Sequence, residues 1–226
     1  TERRVQRIRK AVQAPGNAMD DWMVLTELLN RFGVECSYES PDDIMEEIRM
    51  VTPSYGGISY KRLETETLQW PCPNENHPGT PVLHIGKFSR GERGLIKAVN
   101  YTDPIEQTDD EYPITFTTGR ILYHYHTRTM TGKSKGLNRI SGHSYVEMHP
   151  DDAAHLGIDN LDMVIVESRR GFVKVEAHVT DSIKKGVAFM PFHFVDGPAN
   201  KLTQAAIDPV AKIPEFKVSA VRIRKA

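Results

Sequence analysis

Residues 117–134 have the sequence TTGRILYHYHTRTMTGKS, and the prediction of the fold starts from this stretch. The residues that lead into them, ITFT at 114–117, are β-branched or aromatic and predict a strand. That strand is expected to turn at Gly119 and to continue from Ile121 to Tyr125. The stretch contains two arginines, two histidines, five threonines and a Gly-Lys-Ser turn, but no Asp or Glu. A segment rich in donors and free of carboxylates suits a polyanionic ligand that forms hydrogen bonds.

The second half of the chain is predicted to form short strands around one small helix. Residues 150–157 predict that helix, because a proline opens it, acidic residues follow and a glycine closes it. Residues 163–168 and 172–180 flank a turn at residues 169–171, which is typical of a hairpin. The other predicted strands are 145–148, 187–192 and 217–223, and residues 133–144 are expected to be a polar loop. This pattern indicates a closed β-barrel, although strand counting does not give the topology.

The first half is predicted to begin with helices. Residues 1–14 form either a short amphipathic helix or an extended segment. A helix that ends at Gly33 has an apolar face that is expected to pack in a core, formed by Trp22, Leu25, Leu28, Leu29 and Phe32. A second helix begins after Ser40, a good N-cap, and Asp43 completes a capping box. Its buried stripe is expected to be Ile44, Met45 and Ile48.

Regular periodicity weakens between residues 53 and 110. This region is predicted to be loops with short strands at residues 82–85 and 94–99. Residues 103–112 are acidic and contain a proline, so they are expected to link two domains. The predicted domains are therefore residues 1–108 and 109–226.

Composition excludes several classes of protein. The net charge of −1 gives no general attraction to nucleic acid or membranes, and no run of eighteen apolar residues is present. Cys36 and Cys72 are too few for an iron–sulfur cluster, which usually takes four thiolates, so both are expected to be unpaired structural thiols. The start lacks Met, which indicates the interior of a longer protein or a trimmed product. A cytoplasmic location is expected, with the periplasm as the alternative.

Several motifs resemble a known family. The run Thr-Gly-Arg-x-x-x-His-Tyr-His-Thr-x-Thr-Met-Thr at 118–131 is similar to the entry of the molybdopterin-dinucleotide-binding domain of molybdopterin oxidoreductases, most closely the formate dehydrogenase alpha (catalytic) subunit. Further motifs occur in the order expected of that subunit: QWPCP at 69–73, EYP at 111–113, MHPDDA at 148–153, ANKLT at 199–203 and PEFK at 214–217. The resemblance covers essentially the whole chain, as the C-terminal part of such a subunit.

The resemblance implies an α+β, mainly β fold. Residues 109–226 would be a six-stranded double-psi β-barrel, and residues 1–108 would be the tail of an α/β domain with an irregular connection. The implied activity of the whole enzyme is oxidation of formate to carbon dioxide, or the reverse, at a molybdenum or tungsten centre held by two molybdopterin guanine dinucleotides. The 4Fe-4S cluster and the metal-ligating residue would lie upstream, so the chain alone would not be catalytic. Its implied partners are the remainder of the alpha subunit and electron-transfer subunits.

The resemblance also implies which residues contact the cofactor. The turn of Thr118, Gly119 and Arg120 would approach the cofactor, and His124, His126 and Thr127 would contact its pterin or its pyrophosphate. Asn200 and Lys217 would reach the pterin side, with His193 as a weaker candidate. Gly119 is expected there because a side chain would hold the backbone away from the cofactor. The pyrophosphate needs cations and N–H or O–H donors, while the pterin edge needs groups that both donate and accept.

Each assignment has a simpler alternative. His124 and His126, two apart on a strand, would share a face and could hold a divalent metal, although no third ligand is nearby. Arg120 could be an ordinary surface arginine, and Lys217 a solvated strand residue. The Gly-Lys-Ser turn ends like a phosphate-binding loop but lacks the earlier glycine, because Thr127 stands there. At the level of function, the alternatives are another molybdopterin oxidoreductase, of the nitrate reductase or respiratory-complex type, or a non-catalytic barrel that binds a protein or a nucleotide.

Overall fold

The computed structural model describes residues 2–226, and the chain divides into two compact units, Thr1–Ala98 and Val99–Ala226. The division falls earlier than the boundary expected after residue 108, and residues 99–108 contain no helix or strand. Among the described residues, every helix is too short or too polar to cross a membrane.

The first unit contains short helices and a two-stranded sheet. Its helices are α1 (Asp21–Arg31), α2 (Pro41–Val51) and α3 (Tyr60–Leu63), and its strands are β1 (Arg4–Val5) and β2 (Leu68–Gln69). Strands β1 and β2 pair antiparallel, so residues 4–5 take the extended alternative. The expected capping box of α2 is confirmed, since the Asp43 carboxylate accepts the backbone N–H groups of Glu39 and Ser40, each at 2.8 Å. A small core forms from Met45, Ile58, Leu63, Leu68 and Cys72.

Helix α1 is confirmed, but the expectation that its apolar face packs in a core is wrong. None of its side chains is buried, and Leu25 is 59% exposed. The 3.6-residue period identifies an apolar face, but it carries no information about what covers that face. The stripe of α2 is only partly buried, because Met45 lies in the core while Ile48 is exposed.

The two strands predicted at residues 82–85 and 94–99 are also wrong. Residues 82–85 form turns and bends, residues 94–99 have no regular structure, and a bridge joins Phe88 to Gly91 between them. Their β-branched residues are exposed and do not pair with another strand. β-Propensity alone does not form a strand, because it depends on packing against neighbouring strands. Both cysteines are free thiols, as expected, with Cys72 buried and Cys36 half-buried.

The second unit is a closed barrel of six strands, as predicted. The strands are β3 (Ile114–Gly119), β4 (Tyr145–Met148), β5 (Met163–Ser168), β6 (Gly171–Val179), β7 (Val187–Pro191) and β8 (Ser219–Lys225), and they close in the order β3-β7-β4-β6-β5-β8. The pairs β3–β7 and β4–β6 are parallel and the other four are antiparallel. The inward residues of these strands form the main core, which includes Phe116, Val146, Val164, Val166, Val175, Met190 and Val221. The helix α5 (Pro150–Leu156) is confirmed, with Gly157 in the left-handed conformation after its end.

Two expectations for the segment between β3 and β4 are wrong. Strand β3 ends at Gly119, and residues 121–125 contain a turn at 122–123 and do not continue the strand. The expected polar loop at residues 133–144 contains a short helix, α4 (Lys135–Ile140), which Ser134 caps by accepting the N–H of Leu137. A 3₁₀ turn at Thr131–Lys133 precedes it.

The register places the long connections at one end of the barrel, called here the loop end. Strands β3, β5 and β7 finish there, and β4, β6 and β8 begin there. The connections 120–144 and 192–218 therefore share this end, with the tight turn of the β5–β6 hairpin. Helix α5 and residues 180–186 lie at the opposite end. Each predicted cofactor-binding residue is at the end of β3 or in one of the two long connections.

Candidate functional site

The centre of the candidate site is the junction of Thr118 with Phe216 and Lys217. Thr118 is buried, and its Oγ1 donates to the backbone oxygen of Phe216 at 3.1 Å. In return, Lys217 Nζ donates to the backbone oxygen of Thr118 at 2.6 Å. An ammonium group has three protons, so Lys217 keeps donors for a ligand. The two bonds bring together residues almost a hundred positions apart.

Gly119 and Arg120 continue from this junction onto the lip of the barrel. The backbone oxygen of Gly119 accepts the N–H of Phe192 at 3.1 Å, which joins the start of the second long connection to β3. A Cβ atom at Gly119 would lie 2.7 Å from Cε2 of Phe189, so any larger residue here would have to displace that ring. Arg120 is exposed, and its guanidinium carbon lies 5.5 Å from the centre of the Phe192 ring. An exposed guanidinium held over an aromatic ring remains available to an anion.

His124 is buried and ties two parts of the 120–144 connection together. Its Nε2 lies 2.6 Å from the backbone oxygen of Ser141, and its Nδ1 lies 3.0 Å from Thr131 Oγ1. A carbonyl only accepts, so Nε2 carries a proton. Thr131 Oγ1 accepts the N–H of Tyr125, which leaves its own proton for Nδ1 of a neutral ring. Both nitrogens of His124 are therefore engaged within the protein.

The alternative of a metal held by His124 and His126 required both residues to lie on one face of a strand, and this expectation is wrong. Neither residue lies on a strand, and His124 is buried whereas His126 is exposed with a φ of +47°. Within residues 2–226, no three His, Cys, Asp or Glu side chains are placed to hold a metal ion.

His193 is buried beside His124 and next to the backbone of His126, whose hydrogen bond opposes the lowering of the His193 pKa. Only 6% of the residue is exposed, and within residues 2–226 neither Nδ1 nor Nε2 forms a hydrogen bond of standard geometry. The centre of its ring lies 5.4 Å from that of His124 and 4.7 Å from that of Phe194. Burial lowers the pKa of His193, and the neighbouring His124 and Arg128 lower this pKa further. The ring is therefore neutral at neutral pH.

The three other predicted residues, His126, Thr127 and Asn200, also lie in the connections of the loop end. His126 is exposed and stacks on Tyr125, with the ring centres 4.2 Å apart. Thr127 is exposed and shares a hydrogen bond of 2.8 Å with Thr129. Asn200 is exposed in a 3₁₀ turn, Ala199–Lys201. Their cofactor contacts stay predictions.

A cavity of about 720 Å³ lies beside the 138–144 segment, and sequence reasoning did not identify it. No predicted site residue lines it; its polar lining includes Arg139, His143, Tyr145, Lys174, Glu176, His178 and Asp196. The rings of Tyr145 and His178 stack with centres 4.2 Å apart, and His178 Nε2 lies 3.0 Å from the Glu176 carboxylate. Burial raises the pKa of Tyr145. The only available signal was the strand alternation that puts Glu176 and His178 on the same outer face.

The arrangement fits a ligand with an anionic part and a neutral hydrogen-bonding part. Arg120 and Lys217 supply positive charge at the lip, while the ring nitrogens of the buried His193 form no hydrogen bond of standard geometry within residues 2–226. Unpartnered buried polar atoms are rare in folded proteins and need an explanation. The donor set therefore suits a pterin dinucleotide better than a simple phosphate.

Comparison with known proteins agrees with this chemistry. Residues 114–220 match the family described as "Molydopterin dinucleotide binding domain". The whole chain is 49% identical to the F420-dependent formate dehydrogenase subunit alpha of Methanocaldococcus jannaschii and 36% identical to the periplasmic nitrate reductase of Desulfovibrio desulfuricans. The chain spans 34% and 33% of those relatives, about a third of their length. Acetylene hydratase from Pelobacter acetylenicus shares the fold, with a TM-score of 0.69 over 99% of this chain and 35% of that chain, at 14% identity.

Proposed function

We propose that this chain, a member of the molybdopterin dinucleotide-binding family through residues 114–220, is part of a formate dehydrogenase alpha subunit. It would be the C-terminal part of that subunit, which binds the cofactor. In this role the loop end of the barrel binds molybdopterin guanine dinucleotide. Arg120 and Lys217 bind the pyrophosphate, and Thr118 and Gly119 shape the lip that carries them.

The observation that carries the proposal is the junction of Thr118 with Lys217. It places Lys217, in the 192–218 connection, beside the end of β3, where the 120–144 connection begins. In addition, residues 117–134 contain no carboxylate that would compete with a phosphate for the cations. A barrel module without a pterin role has no need for Arg120 and Lys217 to share one end. The same convergence disfavours the alternative of a non-catalytic module.

The whole protein would oxidise formate to carbon dioxide, or run the reverse. Molybdenum or tungsten held by two such dinucleotides supplies the two-electron chemistry when bound. The metal-ligating residue and a 4Fe-4S cluster would come from sequence outside this chain, as would electron-transfer subunits that pass electrons to an acceptor such as F420. The relatives named F420-dependent formate dehydrogenase support this choice at 43–49% identity, against 36% for the nitrate reductases. A cytoplasmic location stays a prediction.

A chimeric enzyme tests the proposal. The C-terminal third of the Methanocaldococcus jannaschii alpha subunit, which this chain matches over its full length, is replaced by residues 1–226. We expect the chimera to retain its dinucleotide and to oxidise formate with F420. The variant Arg120→Ala should retain less dinucleotide, while Arg224→Ala, an exposed arginine on β8, should match the unsubstituted chimera. A folded chimera that retains no dinucleotide would refute the proposal, and one that retains it without oxidising formate would refute the choice of substrate.

A further inference from the structure

The carboxylate of Glu106 is enclosed by two arginines of the barrel. Glu106 lies in the segment 99–110, which precedes β3, and only 9% of its side chain is exposed. Arg169 Nη1 donates to Glu106 Oε1 at 2.6 Å, and Arg170 Nη2 donates to Glu106 Oε2 at 2.8 Å. Both arginines belong to the tight turn between β5 and β6. Because a carboxylate is rarely this enclosed unless it is paired, these bonds fix the segment to the hairpin turn.

Arg170 also contacts the 192–218 connection. Its Nε and Nη2 donate to the backbone oxygen of Leu202 at 3.0 Å and 2.7 Å. The side chain of Leu202 is fully buried in the main core. One planar guanidinium therefore joins the segment before the barrel, the hairpin turn and the connection that carries Lys217. Glu106, Arg170 and the backbone oxygen of Leu202 are called here the Glu106 clamp.

Hydrogen bonds of Gln204 lead from the Glu106 clamp towards Lys217. Gln204 is buried and lies two residues after Leu202. Its backbone N–H donates to Ser219 Oγ at 3.1 Å, and its side-chain amide donates to the backbone oxygen of Val218 at 2.9 Å. The residue that the Glu106 clamp holds is therefore close in sequence to the one that holds the neighbour of Lys217.

The segment before the barrel also reaches the other side of Lys217. The backbone N–H of Ile105 donates to the carboxylate of Glu215 at 3.4 Å. Residues 207–214 and 216–217 are exposed, so burial does little to fix this part of the connection. The position of Lys217 therefore depends on the bonds at the ends of this stretch and on its own bond to Thr118.

We propose that Glu106 and Arg170 are positioning residues for Lys217. The proposal rests on the proposed function, in which Lys217 binds the pyrophosphate, and adds the groups that hold this lysine in place. Neither residue contacts the ligand in this account. They fix the 192–218 connection against the barrel before the anion binds, and a cation that is held in advance loses less freedom on binding.

The substitution Glu106→Gln separates positioning from charge. It removes one negative charge, so electrostatics alone predicts equal or tighter binding of an anion. Loss of the Glu106 clamp predicts the opposite, and we expect Kd of the 226-residue chain for molybdopterin guanine dinucleotide to rise about three- to tenfold in calorimetry. The matched control is Glu167→Gln, which removes the same charge from a bidentate pair with Arg222 between β5 and β8. This control should not bind more weakly than the parent.

A double-mutant cycle tests whether the effect passes through Lys217. In a Lys217→Met background, Glu106→Gln should cause no further loss of affinity, because the cation that it positions is absent. Arg170→Met removes the other half of the Glu106 clamp, so it should weaken binding at least as much and should also have no effect in that background.

Amide hydrogen exchange provides a readout that does not depend on the ligand. In Glu106→Gln, a peptide that covers residues 203–218 should exchange faster than in the parent, while a peptide from β6 should keep its rate. An unchanged β6 shows that the barrel remains folded.

Three results would overturn the inference and leave the proposed function intact. They are parent-like or tighter dinucleotide binding by Glu106→Gln, an equal loss of affinity with and without Lys217, and unchanged exchange at residues 203–218. A folded parent chain that binds no dinucleotide would instead refute the proposed function, and the inference with it.

Discussion

Gly119 ends the first barrel strand at a point where the ring of Phe189 fills the space beside its backbone. The resemblance to a cofactor-binding family explains this glycine by the approach of the ligand. The structure adds a second reason, which is packing against the ring of Phe189. The two reasons are separable, because the packing term acts without any ligand.

Alanine at Gly119 is therefore expected to destabilise the free chain. Its Cβ would lie 2.7 Å from Phe189, and such overpacking costs about 1–3 kcal/mol. The control is Gly136→Ala in α4, where only Ser134 Oγ lies within 4 Å, at 3.9 Å, and alanine is expected to stabilise by about 0.5–1 kcal/mol. Urea denaturation measures both changes. In a Phe189→Leu background the cost of Gly119→Ala should shrink, and an undiminished cost would show that the ring is not its cause.

His193 predicts a pH dependence of stability. Burial holds its pKa in the folded chain below the ordinary 6.5, so the unfolded chain binds more protons as pH falls through that value. Stability from the neutral ring is thus present above pH 6.5 and is lost as pH falls towards the lowered pKa. The neighbouring His124 and Arg128 also lower the pKa of His193, so they act in the same direction.

The measurement is the free energy of unfolding between about pH 7.5 and pH 5.5, across the ordinary range of histidine. The parent should lose stability more steeply than His193→Phe, while His155→Phe, a change at an exposed histidine on α5, should keep the slope of the parent. Asp109, Asp162 and Glu167 have lowered pKa values and titrate in a more acidic range, so they do not contribute to this difference. Parallel curves for parent and His193→Phe would contradict the assignment.

Sequence motifs predicted residues of the candidate site but not the hydrogen bonds that hold them in place. Thr118 and Lys217 were expected at the cofactor through family resemblance. The bonds that join Thr118 to Phe216 and Lys217 connect positions that no local pattern relates. Likewise, a histidine with both nitrogens engaged and one without a hydrogen bond of standard geometry at either nitrogen look alike in the sequence, because pairing is a property of the folded surroundings.

At the scale of elements, the strands and helices with a clear period were predicted well. Strand β6 has apolar residues at alternate positions from Val173 to Val179, and α5 has both its proline start and its glycine end. The continuation of β3 through residues 121–125 was wrong, because aromatic and β-branched residues favour a strand only where a partner is present. The short helix α4 was missed because six residues are too few to show a period.

Helix α1 gives the clearest test at this scale. Its apolar face is exposed in the structure of the chain, so Leu25→Ser should change the free energy of unfolding by less than about 0.5 kcal/mol. By contrast, Leu63 is 5% exposed in the core of the same unit, and Leu63→Ala should cost about 2–5 kcal/mol. Thermal or urea unfolding of the 226-residue chain compares the two. A large cost at Leu25 would mean that the face is covered in solution.

At the scale of the whole molecule, the barrel explains why motifs that are distant in sequence lie close together. Parallel pairing of β3 with β7, and antiparallel pairing of β3 with β8, bring the end of β3, the end of β7 and the start of β8 to one place. Motifs that are separated in sequence by most of the second unit thereby lie at one end of the barrel, where the cofactor is proposed to bind. A count of strands predicted a barrel, but only the register shows which connections share an end.

The most direct measurement of the central claim is Kd for molybdopterin guanine dinucleotide in the parent chain and in the double variant Arg120→Ala/Lys217→Met. Each charge-assisted contact is expected to contribute about 1.5–3 kcal/mol, so the double variant should bind about a hundredfold or more weakly. Arg224→Ala, which removes a single positive charge from an exposed position on β8, serves as a control and should bind like the parent. Parent-like affinity in the folded double variant would contradict the claim that the loop end of the barrel binds the cofactor.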